Sequence, residues 1–328
     1  MYKKIYSNPD IYSIYVPLSK SPLKNVNCYV IKTDSENLII DTGFNLKECY
    51  SAITDGLNEI GVEIEKSRMF LTHLHTDHIG LAPHIMKGGI IYMSKIDYTY
   101  ITDDAEIHSW NVLDRKFISE GFPMELIKNI HTKKDSSDKY APDMPFRAAI
   151  LNDGDKIHIG PYELTCVLTP GHTPGHMCLY MEKEEIMFLG DHVLFDITPN
   201  ITFWAGVKNS LKDYIESLDK IKNFKVKIPL PAHRQVDKDF YDRVDEIKKH
   251  HFKRLDECFG IIKQNPGLTA YNITGLMKWS IRCNSWLDFP TTQKWFAVGE
   301  AIAHMDYLRA INKIYRRFEN GIYHYYAF

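Results

Sequence analysis

Thr72-His73-Leu74-His75-Thr76-Asp77-His78 decides how this 328-residue chain is read. With 15 histidines and 25 aspartates in the sequence, random placement yields the pattern His-x-His-x-Asp-His roughly 0.002 times. A short apolar run, Met69-Phe70-Leu71, leads straight into it. Alternate residues leaving a strand point the same way, so His73 and His75 can grip one ion. Asp77 and His78, at the turn into a helix, face a neighbouring position. Two adjacent metal ions are therefore within reach.

Further metal-type segments lie downstream, each after a predicted strand. They are Thr169-Pro170-Gly171-His172-Thr173-Pro174-Gly175-His176, then Phe188-Leu189-Gly190-Asp191-His192, then Pro229-Leu230-Pro231-Ala232-His233. Their glycines and prolines make the tight turns that bring side chains from distant strand ends to one point. Five histidines and two aspartates suffice for a closed pair of sites. His176 and His192 are read as support rather than ligands, and His84, His108, His131, His158, His250, His251, His304 and His324 as ordinary. Asp41, in the turn Asp41-Thr42-Gly43, either closes its turn or orients a ligand.

Around these motifs, Ile11 to Val16, Val26 to Thr33 and Asn37 to Asp41 are β-rich. Leu46, Cys49, Tyr50, Ile53, Leu57 and Ile60 then recur at helical spacing, and Gly61 stands at the cap. Strands are predicted again at Ile157 to Ile159, Tyr162 to Leu168, Met177 to Met181, Ile186 to Leu189 and Val226 to Leu230. Ser210 is the predicted cap of a helix bearing Leu211, Tyr214, Ile215, Leu218 and Ile221. Two strand groups with amphipathic helices imply two packed sheets with helices outside. Residues 95 to 148 read as a helical insertion or lid, rich in aromatics and including the polar run from Lys133 to Asp138. From about residue 244 the pattern is helical and ends in aromatic runs around Asn320-Gly321, a hairpin signal. That is a winged-helix-like outline, giving domains of 1–243 and 244–328.

Composition removes other classes. Hydrophobic residues are 44% and charged residues 25%, as in an ordinary globular protein. Net charge is −2, too weak a field to point to nucleic acid or a membrane. The six cysteines form no Cys-x-x-Cys pair and read as reduced, buried thiols. No apolar run reaches a membrane span and the N-terminus has no signal-peptide pattern, so the expected location is the cytoplasm.

Together these motifs resemble the metallo-β-lactamase superfamily over residues 10 to 240, at Asp41, the His73 to His78 cluster, His172, Asp191 and His233. The resemblance implies an α/β fold, an αββα sandwich with metals at one edge of two sheets. It also implies that His73, His75 and His172 hold one metal, that Asp77, His78 and His233 hold the second, and that Asp191 bridges them. Asp41 would be the carboxylate behind a ligand. Gly190-Asp191-His192-Val193-Leu194, followed by Ile197-Thr198-Pro199-Asn200, resembles bacterial hydrolases related to β-lactamase-like protein 2, which carry a winged-helix-like C-terminal domain.

Histidine and carboxylate ligands without thiolate suit two Zn²⁺ ions, and the same set can hold iron or manganese. The implied chemistry is attack by a metal-bridging hydroxide, with Asp77 as the catalytic residue that orients it and collects its proton. The expected substrate is a small-molecule acyl thioester, ester or lactone. The alternative is a phosphodiesterase or ribonuclease using Arg309, Lys313, Arg316, Arg317 and the tyrosines of the hairpin. A homodimer is compatible with either, and no membrane partner is expected.

Overall fold

The computed structural model describes residues 2–19, 21–102, 110–132, 137–280, 283 and 285–328. Residues 133–136 of the polar run, together with His108, lie outside them. The chain divides into two compact units, one of residues 1–102, 137–199 and 217–244 and another of 103–136, 200–216 and 245–328.

In the first unit, seven strands form one sheet in chain order: β1 (Tyr2–Tyr6), β2 (Asp10–Leu18), β3 (Lys24–Lys32), β4 (Asn37–Ile40), β5 (Ser67–Phe70), β6 (Ile91–Ser94) and β7 (Ala148–Leu151). Pairing is antiparallel as far as β4 and parallel from β4 to β7. Parallel neighbours need crossovers, and α1 (Lys47–Ile60) supplies the first. Its Cys49, Ile53, Leu57 and Ile60 are buried at the spacing read from the sequence, and Gly61, at φ 71, closes it by donating to Asn58 O and Leu57 O. Two short helices, α2 (Thr76–Ile79) and α3 (Ala82–Met86), separate β5 from β6, and α4 (Lys95–Thr102) follows β6.

The second sheet runs β12-β11-β10-β9-β8, with β8 (Lys156–Ile159), β9 (Tyr162–Leu168), β10 (Met177–Met181), β11 (Ile186–Gly190) and β12 (Ile228–Pro231). The last strand starts two residues later than Val226, because the Val226 N–H is taken by Tyr241 Oη (3.1 Å) and the ladder begins at Ile228 opposite Ile186. Ile31, Ile40 and Phe70 from one sheet join Leu164, Leu179 and Phe188 from the other in a single apolar core. The opposite face of the first sheet, with Val30, Ile39 and Met69, packs against Ile53 and Leu57 of α1. This is the expected sandwich, a mixed α/β fold. It places Asp41 after β4, His73 to His78 after β5, Asp191 after β11 and His233 after β12, at the carboxyl ends of neighbouring strands. Parallel sheets gather reactive groups at that end.

The second unit is mostly helical, with α5 (Trp110–Ser119), α6 (Met124–Thr132), α9 (Ala270–Leu276), α10 (Thr291–Ala310) and the hairpin of β13 (Ile314–Glu319) and β14 (Ile322–Ala327). α7 (Ser210–Ile221) and α8 (Phe240–Gln264) run across the division of the chain. α7 carries the five expected apolar residues buried, but its cap is one residue earlier than expected. Asn209 Oδ1 accepts from Lys212 N (3.0 Å), while the Ser210 hydroxyl donates to Thr202 O (2.5 Å). Asn320 and Gly321 have φ of 51 and 85 and form the two-residue turn that their sequence predicts.

The aromatics of residues 95–148 go to both units: Tyr98 Oη donates to Phe146 O (3.0 Å) in the first, whereas Phe117 stacks on Trp295 at 3.5 Å in the second. Among the described residues no helix is long and apolar enough to cross a membrane. The six cysteines are free and all but Cys283 are buried. Burial pushes the Cys166 and Cys178 thiols up to about 12, so they are inert at neutral pH.

Candidate metal centre

All seven expected ligands come together, in three overlapping groups whose donor atoms lie within 4.8 Å of one another. These are His73, His75 and His172; His73, His78 and Asp191; and Asp77, His78 and His233. His73 Nε2 faces His75 Nδ1 at 3.0 Å. Asp191 Oδ2 lies 3.5 Å from His172 Nε2, and Oδ1 lies 3.6 Å from His78 Nε2 and 3.2 Å from His233 Nε2. Asp77 Oδ2 sits 3.5 Å from His233 Nε2 and 3.8 Å from His78 Nε2.

Hydrogen bonds behind the ring fix which nitrogen of each histidine looks inward. Asp41 Oδ2 is 2.8 Å from His78 Nδ1, which donates to it and turns Nε2 inward. The same carboxylate accepts from Thr72 N and from the Thr72 hydroxyl, both at 2.8 Å. With its proton given to Asp41, the Thr72 oxygen accepts from His73 Nδ1 (3.0 Å). His233 Nδ1 donates to Asn25 O (2.6 Å). Asp41 therefore both closes its turn, at φ 59, and orients the His78 ring. His176 is a support: Asp191 N donates to its Nε2 (3.1 Å), so its Nδ1 carries the proton and faces Thr169 Oγ1 at 2.8 Å.

Gly190 makes this approach possible. Its φ is 51, and a Cβ there would lie 2.5 Å from His176 Nε2 and 2.9 Å from Thr72 Cβ, so any larger residue would push the β11 turn out of place. His192 is fully buried outside the groups, and burial lowers its pKa to about 3, which keeps it neutral. Of the histidines read as ordinary, His84 pairs with Asp143 at the surface (2.7 Å), and His251 and His304 lie buried together (3.3 Å) in the second unit.

The electrostatics fit a cation. Burial and the neighbouring imidazoles hold His73 and His75 well below the ordinary histidine value, so they present neutral lone pairs. Burial opposes charge on Asp191, His78 and His233, but they stabilise one another. The carboxyl is held well below the usual range, and His78 and His233 are held above the ordinary histidine value by Asp41, Asp77 and Asp191. This is a demand for positive charge that a divalent ion displacing the Nε2 protons would meet. Among the described residues, Asp77 Oδ2, His78 Nε2, Asp191 Oδ1 and His233 Nε2 are buried without a hydrogen-bond partner. Four such atoms around one point would be costly as a mere core. As donors to divalent ions, two carboxylates and several imidazole nitrogens are a suitable set.

One contributor carries no motif. Asp97 is fully buried beside the cluster and accepts from Leu74 N, Gly175 N and the Thr173 hydroxyl. Burial pushes its carboxyl up to about 6, while these three donors pull the other way. The only sequence signal was the short apolar run Ile91-Tyr92-Met93-Ser94 before it, which forms the strand parallel to β5.

Two facing sheets with a histidine and aspartate cluster at their common end define a class of metal-binding hydrolases. Residues 22–233 match the metallo-beta-lactamase superfamily, and the chain belongs to it. It is 28% identical to the beta-lactamase-like protein 2 homolog of Caenorhabditis elegans, over 79% of this chain and 74% of that protein. Fungal relatives include the lactamase-like protein adaB of Aspergillus niger (26% identical, 74% of this chain and 60% of that protein). Another is an atrochrysone carboxyl ACP thioesterase of Aspergillus fumigatus (25%, 76% of this chain and 47% of that protein). The chain thus spans between about half and three quarters of these relatives' lengths. Among solved structures, a metallo-beta-lactamase family protein of Thermus thermophilus superposes with a TM-score of 0.79 at 26% identity, covering 97% of this chain and 98% of that one. A beta-lactamase domain protein of Burkholderia ambifaria reaches 0.83 at 23% identity, over 99% and 94%, and so shares the fold.

Proposed function

We propose that the protein is a dinuclear metal-dependent hydrolase of a small acyl thioester, ester or lactone. Residues 1–243 form its catalytic domain and 244–328 a winged-helix-like flank. The observation that carries this reading is Asp191, whose Oδ2 faces His172 while Oδ1 faces His78 and His233. One carboxylate placed in this way suits two neighbouring ions. In this reading His73, His75 and His172 hold the first, Asp77, His78 and His233 the second, and Asp191 bridges them. Zinc is the ion this donor set favours, with iron and manganese as the alternatives that a metal analysis separates. Two divalent ions held there supply Lewis acidity to a carbonyl oxygen and make water acidic enough to react at neutral pH.

The chain's own contribution is orientation and proton handling. Asp41 and Asn25 O lock His78 and His233 with Nε2 inward, and His176 holds the Asp191 backbone. Asp77 Oδ2 has no hydrogen-bond partner among the described residues and points at the same centre, where it can take the proton of the attacking water. Burial of His73, His78 and His233 excludes bulk water and strengthens each of these interactions.

The acyl thioester class is supported by the relative named as an acyl carrier protein thioesterase. The flank reading is supported by how the basic and aromatic groups of the C-terminal region are used. Arg316 Nη1 donates to the buried Glu120 (2.8 Å), the Tyr325 hydroxyl donates to Glu120 (2.7 Å), and Arg309 pairs with Asp306 (2.9 Å). Groups committed to internal bonds are poorly placed to bind a phosphate backbone. The test is hydrolysis of an acyl thioester and of a phosphodiester by one metal-loaded preparation, with Asp77→Asn as the blank. Thioester turnover that falls at least 100-fold in the variant is expected; phosphodiester turnover alone would overturn the reading.

A further inference from the structure

We propose that Asp97 is a positioning residue for the first metal site, clamping the two loops that carry His73, His75 and His172. It sits in the first turn of α4, directly after β6. Its Oδ2 accepts from Leu74 N (2.9 Å), between His73 and His75, and from the hydroxyl of Thr173 (2.6 Å), next to His172. Its Oδ1 accepts from Gly175 N (2.6 Å), and its own N–H is held by Ser94 Oγ (3.2 Å). One buried carboxylate thereby binds a loop of the first sheet to a loop of the second, on either side of the same three imidazoles.

The surroundings are shaped for this contact. A Cβ on Gly175 would lie 2.3 Å from Ser94 Oγ, 2.5 Å from Asp97 N and 2.7 Å from Asp97 Oδ1, so glycine is what allows the carboxylate to reach the loop. Burying a carboxylate is unfavourable unless its lone pairs are satisfied, and here three donors converge on it. A further direct tie at this point is Met177 N to Thr72 O (2.9 Å), which joins the strands at Thr72. The bonds at Leu74, Thr173 and Gly175 all flank first-site ligands, whereas His78 and His233 of the second site are held separately by Asp41 and by Asn25 O. Loss of Asp97 should therefore act unequally on the two sites.

This inference rests on the dinuclear reading, and the experiment separates the two. Zn²⁺ stoichiometry, stepwise Zn²⁺ affinity by chelator competition and the visible spectrum of the Co²⁺ form are compared for wild type, His75→Ala, Asp97→Asn and Thr173→Val. Melting of each metal-free protein is recorded alongside. Asp97→Asn should weaken one of the two ions by about 10- to 100-fold, alter the Co²⁺ bands assigned through His75→Ala, and leave the other ion unchanged. Thr173→Val, which removes a single donor at nearly constant volume, should shift the same ion in the same direction by less, and it decides the matter if Asp97→Asn does not fold. Two ions bound as in wild type, or equal weakening of both with a lowered metal-free melting temperature, would overturn the clamp and leave the dinuclear reading standing. A wild-type protein that binds fewer than two ions would overturn both.

Discussion

Glu300 is a largely buried carboxylate in α10 of the second unit, accepting from Asn200 Nδ2 (3.1 Å) and lying 3.9 Å from Arg254 Nε. Burial pushes its pKa up to about 7 from an ordinary 4.5, against the pull of Arg254 and of the Asn200 hydrogen bond. Between those values the folded protein holds a proton that the unfolded chain has lost. Its contribution to stability therefore falls as pH rises from about 4.5 and is fully lost above about 7. Glu300→Gln keeps the acceptor for Asn200 and removes the titration. The melting temperature of the variant minus that of wild type should rise between pH 5 and pH 8 in matched calorimetry; a difference independent of pH would contradict the assignment. The neighbouring His304, lowered by burial to about 3, is present in both proteins and contributes with the opposite slope. At this scale the cluster from His73 to His78 was legible because its spacing is improbable by composition, and His172, Asp191 and His233 through their place in the motif set. Asp97 and Glu300 were not, since a carboxylate is made special by donors and burial contributed from far along the chain.

Helices and strands were legible where local chemistry fixes them. Gly61 ends α1 and Asn320-Gly321 turns the final hairpin as their sequences imply. β1, β6 and β7 escaped notice; they are four or five residues long, much as β4 and β8 are, but depend on neighbours in the sheet rather than on a local signal. The start of α7 was misplaced by one residue because Asn209 and Ser210 are both good caps; the Ser210 hydroxyl is taken by Thr202 O, which leaves Asn209 for Lys212 N. Asn209→Ala should cost about 1 kcal/mol of stability in urea unfolding, with Asn209→Asp restoring most of it. An unchanged midpoint for Asn209→Ala would mean that the cap contributes nothing.

Across the whole molecule, the sandwich and its metal-type cluster followed from two groups of strands and the motifs at their ends. The break at residue 243 rests on a change of periodicity along the chain, whereas compactness is decided by long-range contacts, which gather residues 103–136 and 200–216 with 245–328. Because the ligands come from both sheets, ions held there tie the sheets together. Free ion at about 1,000 times its dissociation constant stabilises a fold by about 4 kcal/mol. Removing metal with a chelator should therefore lower the melting temperature of wild type and leave that of a His75→Ala, His233→Ala double variant unmoved; a wild-type transition indifferent to the chelator would count against metal at this site.

The bond from His233 to Asn25 O closes a span of 208 residues, and that has a meaning for synthesis. A chain still on the ribosome, even one that has released the whole His73 to His78 loop, lacks both the last ligand and the strand that carries it. Capture of the second ion would then come late, after β12 has emerged and paired with β11. A pulse of metal given to stalled chains of increasing length would leave two ions only on those long enough to expose His233, and at most one on shorter chains that already expose His172 and Asp191.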